Sequence, residues 1–208
     1  QRTALTISWR PPEVRGAVDA IVQVDTKTAV AVEDAGIAQA SQMTVRVPQG
    51  SISDLSFDMP KDLSIRGISG PHLAGWELNE ETDPRQLRVF FSPAITDSTT
   101  ISLDLFRDQR IADEEAAISI ATPAPREVTR ESEVVAVFSP NTYRVRSGQS
   151  NNVTRIDVAT NAGVLPGRPA AASEGSAPRV AWRHVERPYQ AQFIVSRQTP
   201  QTTATVKH

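Results

Sequence analysis

Apolar and polar residues alternate with a period of two over most of this chain, and no other feature constrains its fold as strongly. Met43-Thr44-Val45-Arg46-Val47, Leu55-Ser56-Phe57-Asp58-Met59 and Leu63-Ser64-Ile65-Arg66 show it in the first half. Leu87-Arg88-Val89-Phe90-Phe91, Ile101-Ser102-Leu103-Asp104-Leu105 and Ile118-Ser119-Ile120 continue it. Tyr143-Arg144-Val145-Arg146, Ala191-Gln192-Phe193-Ile194-Val195 and Ala204-Thr205-Val206 carry it to the end. Successive side chains of a strand point to opposite faces, so such a segment buries one face and wets the other. That is the signature of antiparallel sheets packed on a core by one face. The apolar members are mostly Val, Ile, Leu and Phe, and Val, Ile and Phe fit a pleated surface well.

Turn residues punctuate these runs: Pro48-Gln49-Gly50, Pro60-Lys61-Asp62, Ser69-Gly70-Pro71, Asp83-Pro84, Ser92-Pro93, Ser139-Pro140-Asn141 and Ser147-Gly148-Gln149. Proline interrupts a ladder and glycine admits positive φ, so each cluster marks a strand end. The expected fold is all-β: an antiparallel β-sandwich, up to the size of a two-sheet supersandwich, with about a dozen strands and little helix. Helix signals are weak. Asp113-Glu114-Glu115-Ala116-Ala117 runs straight into an alternating segment and reads better as an acidic turn before a strand, and Gly36 to Ala40 reads as a short turn.

Residues 161–178 are largely Ala, Gly, Pro and Ser, the composition of a mobile loop. The expected organisation is a main β-sandwich over 1–160, that loop, and strands over 179–208. About thirty residues cannot bury a core alone. The last strands therefore either return to the sandwich, the favoured reading, or begin a truncated second β unit. Ser8-Trp9-Arg10-Pro11-Pro12 and Ala181-Trp182-Arg183, followed by Arg187-Pro188, form a faint echo of a repeated β unit.

Composition narrows the chemistry. The chain has 208 residues and no Cys, which removes disulfides, thiol catalysis and Cys-ligated metals together. Its net charge is −2, unlike the basic balance of a dedicated nucleic-acid binder. Of 22 basic residues, all but Lys27, Lys61 and Lys207 are Arg, a bias that fits a GC-rich bacterial genome. No apolar run approaches the roughly 18 residues of a membrane-spanning helix, so no membrane span is expected in this chain. It opens at Gln1 and not at Met, which is read as the sign of a fragment of a larger protein.

Catalytic motifs are missing from the sequence. No G-x-S-x-G elbow, Walker loop or G-x-G-x-x-G is present. The histidines, His72, His184 and His208, lack the close spacing of zinc ligands, and His72 and His184 read as exposed loop or strand-face residues. No catalytic residue, metal ligand or cofactor is assigned. The acidic run Glu77, Glu80, Glu81 and Asp83 falls at the tip of an expected hairpin. It reads as a solvated loop, with a calcium loop as the alternative. The residues that can stack on a sugar ring or anchor a partner are Trp9, Trp76, Trp182, Tyr143 and Tyr189. The candidate ligand-binding residues are His72, Trp76, Trp182 and Tyr189. His72 and Trp76 flank Gly75 in a loop-to-strand segment that can present them.

The order of Met43–Gly50, Leu63–Gly70, Leu73-Ala74-Gly75-Trp76-Glu77 and Gln86–Phe91 resembles β-rich extracytoplasmic segments of large bacterial envelope proteins. Ala181-Trp182-Arg183, continuing through Arg187-Pro188-Tyr189-Gln190-Ala191-Gln192-Phe193, is similar to the strand that opens a further unit in them. The resemblance covers less than half the chain and brings no catalytic signature. It implies sandwich layers in an exported protein, periplasmic, on the cell surface or membrane-tethered. The expected function is a non-catalytic structural or interaction domain that meets protein or glycan partners through a sheet face, an edge or loops, and not nucleic acid. The alternative is a carbohydrate-binding or sugar-processing sandwich.

Overall fold

The structure, a computed structural model, describes residues 19–111 and 115–198. Trp9, Ala204–Val206 and His208 lie outside the described residues, and so does the first half of the Trp-Arg echo.

Among the described residues fourteen strands form in chain order: β1 (Ile21–Glu33), β2 (Gly36–Gln49), β3 (Ile52–Met59), β4 (Ser64–Ser69), β5 (Leu73–Asn79), β6 (Arg85–Ile95) and β7 (Ser98–Arg107), then β8 (Ala116–Ser119), β9 (Ala124–Pro125), β10 (Arg130–Ser139), β11 (Tyr143–Asn151), β12 (Thr154–Ile156), β13 (Ala177–His184) and β14 (Gln190–Arg197). The alternating runs within the described residues fall on strands, with Leu63 and Ile120 one residue beyond the ends of β4 and β8. Gly36 to Ala40, expected as a turn, is instead the start of β2. The reason is the tight β1–β2 hairpin, in which Gly36 takes φ 145° and a Cβ would lie 2.4 Å from the Arg107 carbonyl oxygen.

The sheets make a sandwich with one continuous layer and one divided layer. The continuous layer has seven strands in the order β12-β13-β10-β1-β2-β7-β4. A four-stranded sheet, β5-β6-β3-β9, and a three-stranded sheet, β11-β14-β8, make up the other layer. All pairings are antiparallel except β1 with β10. The longest apolar runs, Ala29-Val30-Ala31-Val32 and Val134-Val135-Ala136-Val137-Phe138, lie on these parallel partners, with Ala29 beside Ala136 and Ala31 beside Phe138. A central strand buried on both faces loses its alternation and reads as continuous apolar sequence.

The inner face of the long sheet carries two apolar clusters. Val22 and Val24 of β1 join Met43, Phe57, Leu87 and Leu103 under the four-stranded sheet. Val30 and Val32 of the same strand join Val137, Trp182, Phe193 and Val195 under the three-stranded one. The outer face is covered by the segment after β12. Leu165 packs with Ala29, Ala136 and Phe138, and Ala172 packs with Ala31 and Ala38. The Ala/Gly/Pro/Ser-rich stretch thus lies against the sheet, tied to it by hydrogen bonds from Ser173 to Glu33 and braced internally by Arg168, which donates to the carbonyls of Ala172 and Ser173. Beneath it, adjoining cavities of about 240 and 250 Å³ share the Ala40, Asp104, Pro169 and Ala170 walls. β13 enters the long sheet and β14 the three-stranded one. Among the described residues no helix is long and apolar enough to cross a membrane.

Candidate functional site

Between the two apolar clusters the inner face turns polar. On β1, Thr26 and Thr28 occupy the inward positions between Val24 and Val30, and both are buried. Gln39 and Ser41 do the same on β2, Glu133 on β10 and His184 on β13. The registers Thr26 to Glu133 and Glu133 to His184 set these residues in a row across three neighbouring strands. This seam lies where the divided layer splits. The link from β8 in one small sheet to β9 in the other runs through Thr122, and the β13–β14 hairpin adds Arg187 and Tyr189.

Glu133 is the hub. Its side chain and that of His184 are each 1% exposed. Oε1 accepts the Thr28 hydroxyl at 2.6 Å. Oε2 accepts the Thr122 hydroxyl at 2.8 Å, lies 2.8 Å from His184 Nε2, and meets Arg187 Nη2 at 3.4 Å. A hydroxyl has one proton to give. Thr122, having given its proton to Glu133, accepts from the Tyr189 hydroxyl at 2.7 Å and from Arg187 at 3.2 Å. By the same logic Thr28 accepts from Ser41 at 2.9 Å. The Thr28 and Thr122 hydroxyls, each receiving a further hydrogen bond, thereby converge on one carboxylate, a mutually polarising arrangement. The His184 ring stacks on Tyr189 at 3.8 Å between centroids, while its Nδ1 is buried without a partner.

The electrostatics follow from this geometry. Burial pushes the Glu133 carboxyl up, but the His184 hydrogen bond, the charges of Arg187 and His184 and the Thr28 hydroxyl outweigh it and hold the carboxyl below its ordinary value. Burial, with the negative charge of Glu133 beside it, pushes the Tyr189 phenol up. Ligand atoms of Glu131, Glu133 and His184 lie within 4.8 Å of one another, a group able to hold a divalent cation. Arg187 already supplies the positive charge there, with Nε 2.8 Å from Glu131 Oε1 as well as its contact to Glu133. Glu133 and His184 are thus the buried part of an internal ion cluster, and Arg187, with 26% of its side chain exposed, is its link to solvent.

The sequence candidates separate into two places. Trp182 and Tyr189 belong to this interior. Trp182 is 2% exposed within the apolar cluster, and the Tyr189 ring stacks on His184 with its hydroxyl bound to Thr122. His184, expected at the surface, is buried because its strand position faces the seam. His72 and Trp76 sit elsewhere, at the outer edge of the four-stranded sheet. His72 occupies the turn between β4 and β5 with φ 63° and is exposed. Trp76 is 44% exposed on β5. Of the acidic run, Glu77 lies on β5, and Glu80, Glu81 and Asp83 form the tip of the β5–β6 hairpin, where Asp83 pairs with Lys61 at 2.8 Å and Glu80 lies 3.6 Å from Arg85. Sequence reasoning weighed histidine spacing and the acidic run at Glu77–Asp83, and missed Glu133. The available signal was a carboxylate one residue before the most apolar run of the chain.

No family model matches the chain, and no curated protein matches it. Among solved structures it is similar to an M1 zinc metallopeptidase mutant from Deinococcus radiodurans bound to a Tyr-Ser-Ala substrate, at 10% identity and a TM-score of 0.47. It is also similar to a two-domain M1 zinc metallopeptidase mutant bound to L-tryptophan, at 9% identity and a TM-score of 0.48. In both cases the match covers 84% of this chain and 42% of the other, so the chain spans less than half the length of these structures.

Proposed function

We propose that this chain is a non-catalytic structural and interaction domain of an extracytoplasmic bacterial protein. The observation that carries the reading is the closure of the Glu133 cluster. A general acid or base must reach the proton it moves, whereas Glu133 is sealed and both its oxygens are taken by the chain's own donors. Its environment is that of a buried ion cluster that fixes the register of neighbouring strands. The carbohydrate reading is weakened by Trp182 and Tyr189, since their rings face the interior. Trp76 supports partner binding, being the large aromatic left exposed among the described residues.

The test is photo-crosslinking in intact cells, with a photoreactive residue in place of Trp76 in the whole gene product, followed by cell fractionation and substrate assays on the purified chain. The expected result is a discrete protein adduct in the envelope fraction, suppressed by excess purified wild-type chain. Turnover of a peptide, ester or glycoside substrate that Glu133→Gln abolishes would overturn the reading.

A further inference from the structure

The edges of the sandwich are unequal. An unpaired strand edge invites another strand, and proteins blunt such edges by shortness, by Lys or Pro, or by bulges. β8, β9 and β12 are short, at 4, 2 and 3 residues. β4 carries Arg66 and a register break between Ile65 and Gly67. β11 carries Arg144 and Arg146 and breaks register between Ser147 and Ser150. β5 differs: among the described residues it pairs only with β6, and although its register also breaks between Leu73 and Gly75, it runs regularly from Gly75 to Asn79 and contains no Lys, Arg or Pro.

The two faces of this edge have different chemistry. Trp76 lies opposite Val89, and Leu78 opposite Leu87. Val89 and Leu87 point into the core, so Trp76 and Leu78 share the core-facing side. At the rim of the sandwich, however, Trp76 stays 44% exposed and Leu78 only half-buried. Glu77 projects from the opposite face. Its cross-strand neighbour Arg88 is engaged by Asp54 at 3.0 Å. Glu77 and Glu81 make no ion pair among the described residues, and both are exposed.

We propose that the β5 edge is a docking site for an extended segment of another protein in which bulky apolar residues alternate with Lys or Arg. The proposal rests on the interaction reading above and names the partner's chemistry. A strand added beside β5 would gain main-chain hydrogen bonds, and its side chains would fall alternately on the two faces. Apolar residues on one face cover Trp76 and Leu78. A cation on the other face meets Glu77, and at the strand end it meets Glu81. A basic residue over the Trp76 ring would add cation–π attraction.

The experiment is calorimetric titration of the purified chain with the synthetic peptide acetyl-Ser-Val-Arg-Val-Arg-Val-Ser-amide and with its counterpart bearing Glu for Arg. Wild-type chain should bind the Arg peptide and prefer it over the Glu peptide by at least about tenfold. Trp76→Ala should weaken binding by about tenfold, and Glu77→Arg should reverse the preference between the peptides. Thermal unfolding of both variants checks that the fold is kept; should Trp76→Ala unfold, the charge reversal alone decides. Equal binding of both peptides, or a preference that Glu77→Arg leaves unchanged, overturns the proposal. So does self-association of the chain that Glu77→Arg and Arg144→Glu abolish alike, since the occupant is then the β11 edge of a second copy. These failures leave the domain reading standing, whereas Glu133-dependent turnover overturns that reading whatever the peptides do.

Discussion

His184 Nε2 and Glu133 Oε2 lie 2.8 Å apart on neighbouring strands, with both side chains withdrawn from solvent. Breaking such a pair leaves a buried group without its complement, and the loss is larger than the worth of the pair itself. Glu133→Gln is expected to destabilise the chain by about 3–5 kcal/mol. Thr28→Val, which removes the donor to the other carboxylate oxygen, should cost about 1–3 kcal/mol. The residues share one network, so the double variant should lose less than the summed single losses. Urea unfolding of the three variants checks all of this, and strict additivity would contradict the shared hub.

The lowered Glu133 pKa makes stability depend on pH in a defined direction. The carboxylate form is favoured in the folded state, so its contribution is complete above the ordinary value of 4.5 and is lost as pH falls through the lower folded-state value. The stability difference between wild type and Glu133→Gln should therefore be largest near neutrality and narrow on acidification. Unfolding free energies measured on both proteins from neutral to acidic pH test the sign. A difference that grows in acid would show that Glu133 is not held ionised.

Arg187 stands where a metal ion would otherwise be needed. Arg187→Ala leaves two carboxylates facing each other and should cost about 3 kcal/mol. It also leaves Glu131, Glu133 and His184 as three ligands of the type zinc accepts. Thermal scans should show zinc raising the melting temperature of the Arg187→Ala variant, by roughly 5 °C or more, with no comparable rise for wild type. Equal responses of the two proteins would place the zinc elsewhere.

The chain's two tyrosines provide a spectroscopic check. Burial, with the hydrogen bond and charge of Asp34, pushes the Tyr143 phenol up to about 12, and Tyr189 is pushed up further. Phenolate absorbance of the folded chain should not rise near the ordinary value of 10.0. In Asp34→Ala the Tyr143 phenol should ionise at lower pH. A full two-tyrosine transition at the ordinary value in the folded protein would contradict both placements.

The alternating runs revealed the strands because each has one wet face and one dry face, a property visible in a single segment. The sheets they join were less legible. Nothing local to Ala29–Val32 or Val134–Phe138 says that they pair side by side and in parallel. The division of the second layer also follows from long-range pairing. The acidic hairpin tip could be read as a solvated loop because its turn residues are local to it, whereas Trp76, chosen for its ring, lies on β5. Glu133, His184 and Arg187 were missed for the opposite reason. They are scattered through the sequence, and only the strand registers make them neighbours. Trp182 and Tyr189 were chosen for their ring chemistry, which is the same in a core as on a platform.

β1 contributes Val22 and Val24 to one cluster and Val30 and Val32 to the other, with Thr26 and Thr28 in the seam between them. Its parallel partner β10 lies roughly a hundred residues further along the chain, the kind of distant pairing that closes slowly. During synthesis, β1 and β2 emerge as a hairpin whose far edge stays open until β10 arrives. The segments in between have to fold around that gap without filling it. A chain cut before β10 would therefore leave the β1 edge exposed and the cluster around Trp182 and Phe193 unbuilt, and that open edge is what a cell's quality control would meet.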